Sequence, residues 1–121
     1  MKVKSLQEIY DISATHLLKQ NKQSFLAGTG CAYHGLGKLM CAVGPLIPDL
    51  FYDTELEGKN ASSDRVTSVL VFNGVDVDNP KVIGLLNSLQ ALHDRSFPES
   101  WAKQLVAIAQ RFKLTPIQSK V

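Results

Sequence analysis

Residues able to bind a metal or act as a nucleophile are concentrated in the segment 31–53, CAYHGLGKLMCAVGPLIPDLFYD. Cys31, His34 and Cys41 would supply two thiolates and an imidazole, which are usual zinc ligands, and a cysteine beside a histidine can be a nucleophile. In a strand, Cys31 and His34 would face opposite sides, and a fourth ligand would have to come from a distant helix. The remaining histidines are His16 and His93. We therefore predict buried apolar cysteines, reduced and without bound metal.

Acidic residues follow this segment at short intervals and could form a magnesium site or a general acid/base pair. They are Asp49, Asp53, Glu55 and Glu57. Spaced acids after a proline are more typical of a solvated loop, and Asp49 is expected to cap the turn after Pro48. The glycine pairs lack the lysine and the strand-to-helix context of a phosphate loop. We predict that the protein is not an enzyme and has no cofactor; a small metal-dependent enzyme using these acids or His34 is the alternative.

The same segment predicts an antiparallel hairpin at roughly residues 31–43. Two short runs are separated by Gly35-Leu36-Gly37, and a loop containing glycine is a common hairpin closure. This register pairs His34 with Lys38 and Cys31 with Cys41, whereas a two-residue loop would pair Cys31 with Ala42. Because a lone hairpin is marginal in water, its apolar face must pack against helices.

Helical periodicity and capping signals predict about four helices around this hairpin. Their expected ranges are about 5–20, 64–72, 79–95 and 97–112, followed by a frayed tail at 115–121. Ser5 with Glu8 and Ser96 with Glu99 match capping boxes. A strand at 69–72 is left open by the β-propensity of that run. The predicted fold class is mainly α with a small hairpin (α+β), in a single domain covering residues 1–121.

Composition and charge exclude several classes of protein. The chain has 121 residues, 45% of them hydrophobic and 20% charged, with a formal net charge of +2. No window is apolar enough for a membrane span and no signal peptide is visible, so we expect a cytoplasmic protein without a membrane partner. The lysines at positions 2, 4, 19 and 22 form only a thin basic cluster. Nucleic-acid binding is therefore kept as an alternative and not as the main prediction.

The chain also resembles a family of small proteins encoded by tailed bacteriophages and prophages, to which no reaction has been assigned. The resemblance rests on Cys31-Ala-Tyr, on the run from Cys41-Ala-Val-Gly to Leu46-Ile-Pro-Asp, and on Tyr52-Asp. It extends over most of residues 31–114. His34 stands where that family often has arginine, and Phe51 where it often has an acidic residue. The resemblance implies a phage accessory protein acting in the bacterial cytoplasm.

Taken together, these features predict a non-enzymatic phage accessory protein that binds and modulates a host bacterial protein, in host takeover or counter-defence. The outer face of the hairpin and the loop after it offer mixed apolar and polar contacts, and aromatic and methionine side chains are enriched in interface cores. The residues predicted to contact the partner are His34, Lys38, Met40, Leu50, Phe51 and Tyr52.

Overall fold

Four α-helices form the framework of the protein in a computed structural model of the chain. The structure describes residues 3–26, 30–31, 33–34, 39–52, 56–57 and 64–117. Helix α1 spans Leu6–Gln20, α2 Asp64–Phe72, α3 Pro80–Arg95 and α4 Trp101–Arg111. Three-residue 3-10 turns lie at Gly44–Leu46, Asp49–Phe51 and Pro98–Ser100.

The predicted fold class is wrong, because the described chain is all-helical and forms no hairpin over residues 31–43. Extended pairing among the described residues is limited to Phe25–Leu26 against Gly30–Cys31 and to one bridge between His34 and Met40. Cys31 pairs with Phe25 and not with Cys41, and His34 pairs with Met40 and not with Lys38, which lies outside the described residues. The predicted number of four helices is correct, and residues 69–72 are helical.

Side chains of α1 provide hydrogen-bond partners that a second strand would have provided in the predicted hairpin. Gln20 accepts a hydrogen bond from the Met40 backbone N–H and donates one to the Met40 carbonyl, both at 2.8 Å. His16 Nε2 lies 2.9 Å from the same carbonyl, and Ser13 Oγ donates to the Ala42 carbonyl at 2.8 Å. Buried backbone groups need partners, and here a helix face provides them. The segment 39–43 therefore lies against α1 and not in a ladder.

The hydrophobic core lies between α1, α3, α4 and the Gly44–Leu46 turn. Tyr10 is fully buried; its hydroxyl donates to the Leu105 carbonyl at 2.9 Å and accepts from the Ile117 N–H at 3.1 Å. Trp101, the first residue of α4, is also fully buried. The other largest fully buried side chains are Ile9, Leu17, Leu46, Ile47, Leu56, Leu70, Leu85, Leu86, Leu89 and Leu105. Each such side chain contributes about 1.5–3 kcal/mol by burial.

Local signals place most helix ends correctly. The capping box of Ser5 and Glu8 is confirmed, and Asn79 caps α3 by accepting from the Lys81 N–H at 2.9 Å. The predicted capping box at Ser96 is wrong, because Ser96 ends α3 and its hydroxyl donates to Gln104 Oε1 at 3.0 Å.

The end of the chain is also better anchored than predicted. Within the expected frayed tail, the Thr115 N–H donates to Gln7 Oε1 at 2.8 Å, and Gln7 Nε2 donates to the Thr115 carbonyl at 3.0 Å. Because the Ile117 N–H also bonds to Tyr10, residues 115–117 are attached to α1. The rest of the predicted tail, 118–121, lies outside the described residues.

A substitution at Gly44 tests how closely its backbone packs against Tyr33 and Met40. A Cβ at this position would collide with the Tyr33 carbonyl oxygen and lie 2.7 Å from Met40 Cβ. We expect Gly44→Ala to lower the free energy of unfolding by about 1–3 kcal/mol, because one of the atoms that the added Cβ would meet is a backbone carbonyl oxygen that cannot move aside. Urea denaturation measures this change.

Gly84 supplies the matched control in α3. Its added Cβ would lie 3.5 Å from Phe112 Cε1, which is ordinary van der Waals contact. Gly84→Ala should raise stability by about 0.5–1 kcal/mol, because alanine has less backbone freedom to lose in a helix. Equal effects of the two substitutions would contradict the packing described for Gly44.

Candidate functional site

Two exposed aromatic rings stack on each other at the surface, and an exposed leucine immediately precedes one of them in the chain. Pro48 precedes the 3-10 turn Asp49–Phe51, which leaves Leu50 87% and Phe51 42% exposed. At the last residue of α2, Phe72 is 60% exposed and its ring stacks on Phe51, with centroids 5.5 Å apart and planes inclined by 26°. We call Leu50, Phe51 and Phe72 the aromatic patch.

Polar contacts hold the two parts of the aromatic patch together. Asn73 follows Phe72 directly, and its Nδ2 donates to the Leu46 carbonyl at 2.9 Å, which ties the end of α2 to the turn before Pro48. Lys4 Nζ donates to the Asn73 carbonyl, and the Lys4 N–H donates to the Gly74 carbonyl at 2.7 Å. Gly74 has φ 80°, a left-handed conformation that suits glycine at a helix end. Asn73 and Gly74 therefore end α2.

Beside the patch, Glu57 organises a half-buried polar group that we call the Glu57 cluster: His34, Tyr52 and Glu57. The carboxylate accepts from the Tyr33 N–H at 2.8 Å, the His34 N–H at 3.1 Å and the Tyr52 hydroxyl at 2.5 Å. The rings of His34 and Tyr52 stack with centroids 4.3 Å apart and planes 9° from parallel. Charge-assisted hydrogen bonds of this kind are among the stronger ones, so the cluster fixes Tyr52 next to Phe51.

The structure brings only some of the predicted contact residues together. His34 and Tyr52 are stacked, and Leu50 and Phe51 lie on the neighbouring surface. Met40 is half-buried and has its backbone bonded to α1, while Lys38 lies outside the described residues.

Two important residues were missed in the sequence. Phe72 was assigned to a helix without a surface role, although Phe72-Asn73-Gly74 at a helix stop was a usable signal. Glu57 was treated as one of several loop acids. Its backbone partners lie more than twenty residues away, and no local pattern connects them.

Within the part of the chain that the structure describes, Cys41 takes part in neither the metal site nor the nucleophilic site considered from the sequence. Cys41 is a free thiol with no exposed surface, and burial raises its pKa to about 12, so it is not a thiolate nucleophile at neutral pH. His34 Nε2 donates towards the carbonyls of Gly44 and Ile47, at 3.2 and 3.0 Å. The Cys31 side chain lies outside the described residues.

No three metal-ligating side chains converge among the described residues. Of the acids considered above, Asp53 and Glu55 lie outside that part of the chain, as does the side chain of Asp49. Glu57 has its carboxylate engaged by the three donors of the Glu57 cluster.

His93 lies in the last turn of α3 and is buried in the core. The Ser24 N–H donates to Nε2 at 2.9 Å, so this nitrogen carries no proton, while Nδ1–H donates to Asp94 Oδ1 at 2.7 Å. The ring is therefore the neutral Nδ1–H tautomer and joins α3 to the chain after α1.

No protein-family model, characterised protein or solved structure matched this chain. None of the helices in the described ranges combines the length and the apolar character needed to cross a membrane.

Glu57→Gln tests whether this carboxylate holds the cluster. The substitution removes the charge and turns one acceptor oxygen into an NH2 group facing backbone donors. We expect a loss of about 1–3 kcal/mol in stability and faster hydrogen exchange at the amides of Tyr33 and His34. Glu99→Gln, at an exposed position, should change stability by less than about 0.5 kcal/mol. Unchanged exchange at both amides would show that Glu57 does not hold them.

The buried thiol of Cys41 predicts a loss of stability at alkaline pH. Its pKa is raised from 9.0 to about 12 in the folded protein. Below pH 9 the thiol is protonated in both the folded and the unfolded protein, so its ionisation does not change the free energy of unfolding. Above this value only the unfolded chain ionises, and stability falls by up to about 1.4 kcal/mol per pH unit until the folded pKa is reached.

Urea denaturation at about pH 8 and about pH 10 measures this effect. Between these pH values the free energy of unfolding of the native protein should fall by about 1 kcal/mol more than that of Cys41→Ala, because the alanine variant has no thiol to ionise. The cavity left by the substitution lowers stability equally at both pH values. Identical losses in the two proteins would mean that the Cys41 thiol does not titrate as a buried group.

Proposed function

We propose that this protein is a non-enzymatic binding protein, and that the aromatic patch is the centre of its interface with another protein. The supporting observation is the exposure of Leu50, Phe51 and Phe72, at 87%, 42% and 60%, together with the stacking of the two phenylalanine rings. Exposed clusters of large apolar side chains commonly mark interaction sites, and aromatic residues are enriched in interface cores.

The way in which the patch is held supports this proposal. Phe51 lies in a 3-10 turn whose Phe51 N–H donates to the Pro48 carbonyl at 2.9 Å, and the end of α2 is tied to Leu46 through Asn73. A surface already fixed by hydrogen bonds loses little conformational entropy on binding, which favours affinity. His34 and Tyr52 would then form part of the polar rim around the apolar centre.

The proposed partner is a host bacterial protein in the bacterial cytoplasm, which this phage accessory protein would modulate in host takeover or counter-defence. This assignment of context rests on the sequence resemblance to small phage and prophage proteins described above. Nucleic-acid binding has less support, because Lys4 of the thin basic cluster donates its ammonium protons to the Asn73 carbonyl at the end of α2.

Affinity purification from bacterial lysate, with the tagged full chain at two salt concentrations, tests the proposal. We expect one stoichiometric protein that survives the higher salt, because an apolar interface is weakly screened. Leu50→Asp and Phe72→Ala should reduce its recovery at least tenfold, since central apolar residues dominate interface energies. Phe97→Ala is the matched control, because Phe97 is 76% exposed and lies outside the patch. The amount of partner recovered with this variant should equal that recovered with the native protein.

Other outcomes would contradict the proposal. Full recovery of the partner by Leu50→Asp and Phe72→Ala would place the interface elsewhere. Nucleic acid that co-purifies and is lost as salt rises would indicate an electrostatic nucleic-acid binder. Absence of any protein at either salt, with metal bound to the preparation, would favour the small metal-dependent enzyme.

A further inference from the structure

A groove of about 450 Å³ runs between α3 and α4. This volume lies in the range of about 300–1,000 Å³ that is usual for small-molecule sites. The groove shares no residue with the aromatic patch or the Glu57 cluster. Its lining residues are Asn87, Ser88, Ala91, Leu92, Arg95, Ser96, Gln104, Ala107, Ile108 and Arg111.

The charge of this groove is entirely positive. Arg95 and Arg111 line it, no acidic residue does, and within the described residues neither guanidinium forms a salt bridge with a carboxylate. Both arginines lie in the last turns of their helices, where the helix dipole favours a cation. The dipole explains their positions along the helices, but it does not require both to line one groove.

The two arginines lie at different levels of the groove. Arg111 Nη1 donates to Ser88 Oγ at 3.3 Å, which places this guanidinium near residue 88 of α3. Arg95 lies seven residues further along the same helix, and at about 1.5 Å per residue its backbone is about 10 Å along the helix axis from Ser88. Between these two levels, Ala91 and Ala107 contribute only methyl groups, so the middle of the groove is lined by small apolar side chains.

We propose that this groove binds a small elongated dianion, with one anionic group at each arginine and an apolar chain between them. Arginine suits both ends, because its planar fork donates two parallel hydrogen bonds to a carboxylate. The amides of Asn87 and Gln104 and the hydroxyls of Ser88 and Ser96 supply further polar groups along the rim. This binding does not depend on the protein interface proposed above.

Isothermal titration of the full chain with azelate tests the proposal, since the extended azelate chain separates its carboxylates by about the distance between the two levels. We expect binding to the native protein, and affinity at least tenfold lower for Arg95→Gln and for Arg111→Gln, because each loses a charged hydrogen-bonding partner. Lys103→Gln is the matched control: it also removes one positive charge from α4, but Lys103 is exposed and does not line the groove. Its affinity should stay within about twofold of the native value.

Two further probes test the need for two separated charges. Nonanoate has a chain of equal length with one carboxylate, and succinate has two carboxylates too close together to reach both arginines. Each should bind at least tenfold more weakly than azelate. The proposal is overturned if azelate does not bind at millimolar concentration, if succinate or nonanoate binds equally well, or if Lys103→Gln weakens binding as much as the groove variants. Both arginines are exposed, so the variants should fold normally, and circular dichroism checks this.

Discussion

Hydrogen bonds from one face of α1 to the backbone of residues 39–43 position much of the remaining chain. Ser13, His16 and Gln20 follow each other at spacings of three and four residues, so they lie on the same face of the helix. They satisfy carbonyl and N–H groups of Met40 and Ala42 that would otherwise be buried without partners, which costs about 1–3 kcal/mol for each group. Burial lowers the pKa of His16 although the Met40 carbonyl opposes this, so the ring acts as a neutral donor.

This arrangement determines which apolar side chains are exposed at the surface. Met40 and Ala42 bond to side chains of α1, and extended pairing here is limited to the bridge between His34 and Met40. The described chain then continues into the turn Gly44–Leu46 and the turn Asp49–Phe51. The second turn projects Leu50 and Phe51 outwards, and Asn73 brings the end of α2 beside them. The aromatic patch is thus assembled from two segments that are distant in sequence. The groove between α3 and α4 is chemically different, since it combines two cations with a floor of small apolar groups.

The candidate site could be only partly predicted from sequence. His34, Leu50, Phe51 and Tyr52 were predicted as contact residues because the outer face of the predicted hairpin and the loop after it were expected to offer mixed apolar and polar contacts. Phe72 and Glu57 were missed because their roles come from contacts with Phe51 and with the amides of Tyr33 and His34. Those contacts join residues 21 to 24 positions apart, and neither a helical nor a strand period relates them.

The sequence by itself determined the four helices, since periodicity and caps act within one or two turns. Ser5 with Glu8, Asn79 before Pro80, and Asn73-Gly74 each satisfy a helix end through neighbouring atoms, so the local pattern is sufficient. Only the tertiary structure decided the backbone partners of Met40. Gly35 and Gly37 favour a hairpin by their local sequence, but the backbone N–H and carbonyl of Met40 bond to Gln20, twenty residues earlier. The Met40 N–H and carbonyl could have bonded either to a second strand or to the Gln20 side chain. Because α1 packs against the core, Gln20 lies beside Met40 and provides both bonds.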